Sequence, residues 1–108
     1  MKNQKASRED RVKRLVEHGA VKVHRFLPSG REVWTVVGRD GDQLVDLDLH
    51  YCSCRHYYFA VLGGRDDTCY HIMAAETASK QGACDIVLFS DEELNHFIRL
   101  LIRDISSR

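Results

Sequence analysis

Five metal-ligating side chains fall within twenty residues of this chain: Cys52, Cys54, His56, Cys69 and His71. They are grouped as C-x-C, then fourteen residues, then C-x-H. In an extended strand, residues two apart point to the same side, so Cys52 and Cys54 can present two thiolates together. Inside a helix, residues two apart lie about 200° around the axis and cannot grip one ion. The second pair therefore requires Cys69 just before a helix and His71 in its first turn, with Thr68 as the expected cap. A helix N-terminus also favours a thiolate, because its unpaired N–H groups carry partial positive charge. A strand end and a helix start arranged in this way would offer three sulfurs and one imidazole. That donor set suits a closed structural zinc site, with no open position for a reacting water.

Other chemistries use the same residues. A Cys52–Cys54 disulfide would be strained. A redox dithiol is usually C-x-x-C on a βαβ pattern, which is lacking here. Cys84 makes a fourth cysteine, and four thiolates can hold an iron–sulfur cluster. Its spacing follows neither common ferredoxin pattern, and its apolar neighbours read better as the setting of a buried thiol. A cysteine nucleophile with His71 or His56 as base survives on spacing alone, although it leaves the paired C-x-C and C-x-H unexplained. Within the metal reading, His56 is an alternative to His71 or a supporting group.

The elements around these residues must bring them together. Residues 7–18 read as a helix capped by Ser7, with Val12, Leu15 and Val16 as an apolar stripe and Gly19 as its stop. The period then changes to two. Residues 21–27 and 31–38 alternate as strands around the "PSG" turn, and "RDGD" at 39–42 is a second turn. A third strand over 43–51 is expected to run directly into Cys52, with Val45, Leu47, Leu49 and Tyr51 on one face. Three strands so close in sequence form an antiparallel meander. Residues 70–80 form a helix ended by Gly82. "CDIVLF" follows as a short extended run. Residues 90–105 make the strongest helix, opened by a Ser90/Glu93 capping box and carrying Leu94, Phe97, Ile98, Leu101, Ile102 and Ile105 on its sheet-facing side. The expected fold is α+β in one domain over 1–108: a meander and metal-anchored helix, flanked by an N-terminal and a C-terminal helix.

Composition narrows the class. With 44% hydrophobic and 30% charged residues, the chain has an ordinary soluble balance. No apolar run approaches the roughly 20 residues of a membrane span, and the first residues lack a signal-peptide core. An intracellular setting is expected, cytoplasmic or nucleoid/nuclear, where cysteines stay reduced. Net charge is zero, yet residues 1–25 hold eight Lys or Arg against three acids, and the remainder eight against thirteen. The basic segment, with Lys5, Arg8, Arg11, Lys13 and Arg14, suits either a solvated helix or contact with a phosphate backbone. Tyr57, Tyr58 and Tyr70 could stack on bases or belong to the core.

Cys52-x-Cys54, a loop and Cys69-x-His71 resemble the SWIM zinc finger, over residues 44–80. The resemblance implies one structural Zn²⁺ held by Cys52, Cys54, Cys69 and His71 in a strand–strand–helix unit. Cys69 to Ala74 also reads C-x-H-x-x-A. This extension is similar to that of the SWIM subunit of Shu-type recombination complexes and its archaeal relatives. Ala74 lies three residues after His71 on the same side of the helix, beneath the cage, where a larger side chain would crowd the packing against the hairpin. The branch implies binding to DNA, single strands included, and to a RecA/Rad51-type paralogue in homologous recombination and repair. No ATPase, nuclease or helicase motif accompanies the finger, so a non-enzymatic module is expected. The rival expectation is a protein-interaction adaptor with no nucleic-acid contact.

Overall fold

The first strand shows how the molecule is layered. In the computed structural model, which describes residues 4–39 and 41–107 with side chains from Arg8 onward, β1 (Val21–Leu27) alternates two buried faces. Val21 and Val23 face the main core, whereas His24 and Phe26 are enclosed on the other side. β1 pairs antiparallel with β2 (Arg31–Gly38), and β2 pairs antiparallel with β3 (Gly41–Asp46). These three strands are the expected meander. They form the centre of a five-stranded sheet ordered β4-β3-β2-β1-β5.

The two outer strands depart from the expectation. The third strand does not continue to Cys52. Asp46 accepts a hydrogen bond from the Leu49 backbone N–H (3.1 Å), and the chain turns over residues 47–50 with His50 at φ 50°. It then returns as β4 (Tyr51–Cys52), antiparallel to β3 and with Val45 opposite Cys52. Leu49 is consequently exposed rather than aligned on the strand face. The turn wins because aspartate bonds the backbone two or three residues on, offering an alternative to a continued ladder. At the other edge, β5 (Asp85–Ser90) lies parallel to β1, a pairing between segments more than sixty residues apart.

Helices cover both faces. α1 (Gln4–Glu17) and α2 (Tyr70–Gln81) pack together on the core side. Ala74, Ala75 and Ala78 are fully enclosed there, and their small side chains permit the close approach of Val12, Leu15 and Val16. α1 begins three residues before Ser7, so Ser7 lies inside the helix rather than at its cap. Gly82 ends α2 in the left-handed region at φ 65°, where glycine bears no Cβ penalty. On the opposite face, a single 3-10 turn (Asp91–Glu93), opened by the Ser90/Glu93 capping box, leads into α3 (Leu94–Ser106). Phe97 of α3 packs on Phe26, His24 and Phe89, and Leu101 is buried. The expected apolar side is only partly covered, since Ile102 is 54% exposed. Among the described residues, no helix is long and apolar enough to cross a membrane.

Candidate metal centre

Cys52 reaches the site from the two-residue strand β4, held in register by Val45. Ser53 extends that pairing by other means. Its N–H donates to the Leu44 carbonyl (3.0 Å), its Oγ accepts from the Leu44 N–H (2.9 Å) and donates to Gln43 Oε1 (2.8 Å). This three-bond clamp places Cys54 beside Cys52 although the ladder has ended. From Arg55 the chain does not form an open loop. It winds into a helical turn that includes a π-helical segment, Tyr57–Val61. The Tyr57 N–H points to Cys54 Sγ at 3.4 Å, and the buried Tyr57 ring meets Tyr51 edge-on.

The second half of the site is the start of α2. Cys69 is the N-cap residue, extended at φ −124° and ψ 163°, and its carbonyl accepts the Met73 N–H (3.1 Å). This is the position that the C-x-H spacing requires. Thr68 does not cap: its hydroxyl contacts only the Cys69 carbonyl, at 3.4 Å. His71 enters in the first turn.

The four ligand atoms of Cys52, Cys54, Cys69 and His71 all lie within 4.8 Å of one another, and all four residues are buried. Tetrahedral zinc bound to sulfur at about 2.3 Å has ligand–ligand edges of about 3.8 Å, so modest closure completes such a cage. All four cysteines are free thiols, and Cys84 stands outside the cluster, which removes both the disulfide and the four-cysteine arrangement. His56 also stands outside, 2.7 Å from the Asp66 carboxylate.

The electrostatics also fit a cation. Hydrogen bonds from Cys52 and Cys69 hold the Cys54 thiol well below its ordinary range. Cys54, Cys69 and burial push Cys52 far up. Cys69 is drawn down by Cys52, but Cys54 and burial prevail and leave it at about 11. Three sulfurs thus share protons around one thiolate, a crowding that a divalent ion relieves. His71 Nδ1 is buried with no hydrogen-bond partner among the described residues. An unsatisfied buried nitrogen costs about 1–3 kcal/mol, and metal coordination at the imidazole is a way to recover it.

Two contributors to the site carry no ligand atom. Gly38, at the end of β2, lies so close to His71 that a Cβ there would be 3.0 Å from Nε2. Asp66 joins α1 to the segment before α2 by pairing with Arg8 (second contact 3.3 Å) and His56. Those two partners hold its carboxyl well below the usual range. Neither residue is legible from local sequence pattern, because both matter through partners distant in the chain.

The basic candidates separate in space. Arg8 is engaged by Asp66, and Lys13 lies 4.0 Å from Glu17. Arg11 stands over the Tyr70 ring, 5.5 Å from its centroid, and Arg14 is exposed. The Lys5 side chain lies outside the described residues. Of the three tyrosines, Tyr58 is exposed, Tyr57 is buried and Tyr70 is half-buried against His71 with ring centroids 4.1 Å apart.

Comparison with known proteins finds relatives of this chain. Zinc finger SWIM domain-containing protein 7 is 33% identical in Homo sapiens, 34% in Mus musculus and 30% in Danio rerio, each over 73 residues and 66% of this chain. The match covers 52%, 48% and 52% of those proteins, so the chain spans about half the length of the curated relatives it matches. No protein-family model and no solved structure matches the chain.

Proposed function

Because this chain carries a SWIM-type zinc finger, we propose that it is a non-enzymatic module whose one Zn²⁺ ion is structural and whose exposed surfaces bind DNA and a protein partner. Cys52, Cys54, Cys69 and His71 would hold the ion. When bound, it cross-links the end of the sheet to the start of α2. The observation that carries this reading is the closure of the site. Three thiols and one imidazole, all buried and close together, would fill the four positions of a tetrahedral ion and leave none for substrate. Work must then be done by surfaces. The resemblance to the Shu-type branch supports an accessory function in homologous recombination with a RecA/Rad51-type paralogue, and the arginines of α1 support DNA contact.

The test is binding of the zinc-loaded chain to single-stranded and duplex DNA across a salt series, together with co-purification with a RecA/Rad51-type paralogue. A steep fall of affinity with salt supports nucleic-acid contact. No DNA binding at low salt, with partner binding retained, supports the adaptor reading instead. One feature favours that second reading. β5 is an edge strand with Ile86 and Leu88 exposed, and such an edge can accept an added strand from another protein.

A further inference from the structure

Arg11 and Arg14, at helical spacing on α1, and His18, in the turn just after it, line one side of a surface concavity of about 520 Å³. Arg39, from the turn between β2 and β3, and Tyr70, at the start of α2, close it from other elements. Its remaining lining is apolar, from Leu15, Ala20 and Val37. The wall is firmly built. The Ala20 N–H donates to the Leu15 carbonyl and the Val37 N–H to the Ala20 carbonyl, each at 2.9 Å, which ties the end of α1 to both strands. Three arginines, two from α1 and one from the β2–β3 turn, thus line one recess, and no carboxylate lines it among the described residues.

The neighbouring cations of α1 differ, since Arg8 and Lys13 have acidic partners. Arg11, Arg14 and Arg39 make no ion pair with a carboxylate among the described residues. Holding like charges together costs energy that an anion returns, and guanidinium presents a fork matched to phosphate oxygens. Stacking over Tyr70 leaves the edge of the Arg11 guanidinium available for such a bond. Leu15 and Val37 offer an apolar surface to a sugar or base beside that phosphate.

We infer that this concavity binds a backbone phosphate and its nucleoside within a single-stranded nucleic acid. A recess of this size admits one splayed nucleotide, whereas a duplex keeps its bases stacked inside and meets proteins with a convex backbone. The inference deepens the nucleic-acid reading above and rests on it. It moves the contact from the basic N-terminal segment as a whole to Arg11 and Arg14 with Arg39, a residue outside that segment, and leaves Arg8 and Lys13 aside.

The experiment uses the zinc-loaded full chain and fluorescence anisotropy with a labelled oligothymidylate, a duplex of equal length and free thymidine monophosphate. Arg14→Ala and Arg39→Ala should each weaken oligothymidylate binding about tenfold, the loss expected for a charge-assisted bond. Each should also lower the slope of log affinity against log salt by about 0.7. Arg103→Ala, an equal charge change on α3, should leave both unchanged. Zinc content and circular dichroism establish that each variant is folded. If the wild type binds oligothymidylate and both variants bind it equally well, the site is overturned while the nucleic-acid reading survives. Duplex binding as tight as single-strand binding overturns the single-strand assignment. Free thymidine monophosphate binding as tightly as the oligomer makes the ligand a nucleotide and overturns the strand. If the wild type binds none of the three, both the site and the nucleic-acid reading fall.

Discussion

The His71 ring lies against Gly38, with Nε2 only 3.0 Å from where a side chain at that position would begin. β2 thus sets the direction of an imidazole that α2 supplies, thirty-three residues later in the chain. A methyl group at Gly38 must displace the ring by a few tenths of an ångström. Gly38→Ala is therefore expected to weaken zinc binding about tenfold, within the range for groups that orient a ligand. Competition with a chromophoric chelator measures this, and unchanged affinity would refute the orienting contact.

Zinc affinity should rise with pH. In the metal-free cluster, Cys54 holds the thiolate while Cys52 lies far above its ordinary range and Cys69 at about 11, so both remain thiols near neutrality. Binding must expel those protons. About two protons per zinc are expected near neutral pH, and protons compete progressively as pH falls. Calorimetry in buffers of different ionisation enthalpy counts them. Affinity independent of pH between about 6 and 8 would contradict the shared-proton arrangement.

A second pH effect belongs to the far face of the sheet. His24 is enclosed with Phe89 and Phe97, its Nε2 is 3.0 Å from Thr35 Oγ1 and its Nδ1 has no partner among the described residues. Burial lowers its pKa below 6.5. The folded state then binds fewer protons than the unfolded state, so this contribution is complete above the unfolded value of about 6.5 and is lost as pH falls below it. His24→Gln should reduce the decline of stability between about pH 6.5 and 5, measured by denaturant unfolding with zinc saturating. An identical decline in both proteins would show that His24 does not titrate with folding.

Much of this arrangement was legible from local pattern. The period-two runs place β1 and β2, Gly82 ends α2, and the geometry of C-x-H puts Cys69 just before α2, although the residue at the cap is Cys69 itself and not Thr68. The failures share a cause. Leu47 and Leu49 alternate as a strand would, but Asp46 turns the chain there. The parallel pairing of β5 with β1 and the approach of Gly38 to His71 join segments far apart, and no local period records them. Arg39 carries no local signal for the same reason, since only the fold brings it to the recess that the α1 arginines line.

Ala74 has no room to grow, being fully enclosed in the core where α1 and α2 meet. Ala74→Leu should destabilise the zinc-loaded protein by about 1–3 kcal/mol through overpacking. A variant as stable as the wild type would show that the helix interface can yield.

The central claim is that one ion joins the sheet's end to the start of α2 through three sulfurs and His71. X-ray absorption at the zinc edge, with metal stoichiometry of the wild type, His71→Ala and His56→Ala, tests it most directly. The expected result is one equivalent of zinc with three sulfurs at about 2.3 Å and one nitrogen at about 2.0 Å, lost or weakened in His71→Ala and retained in His56→Ala. Purified chain that binds no zinc, or that loses it with His56 and keeps it without His71, would contradict the account.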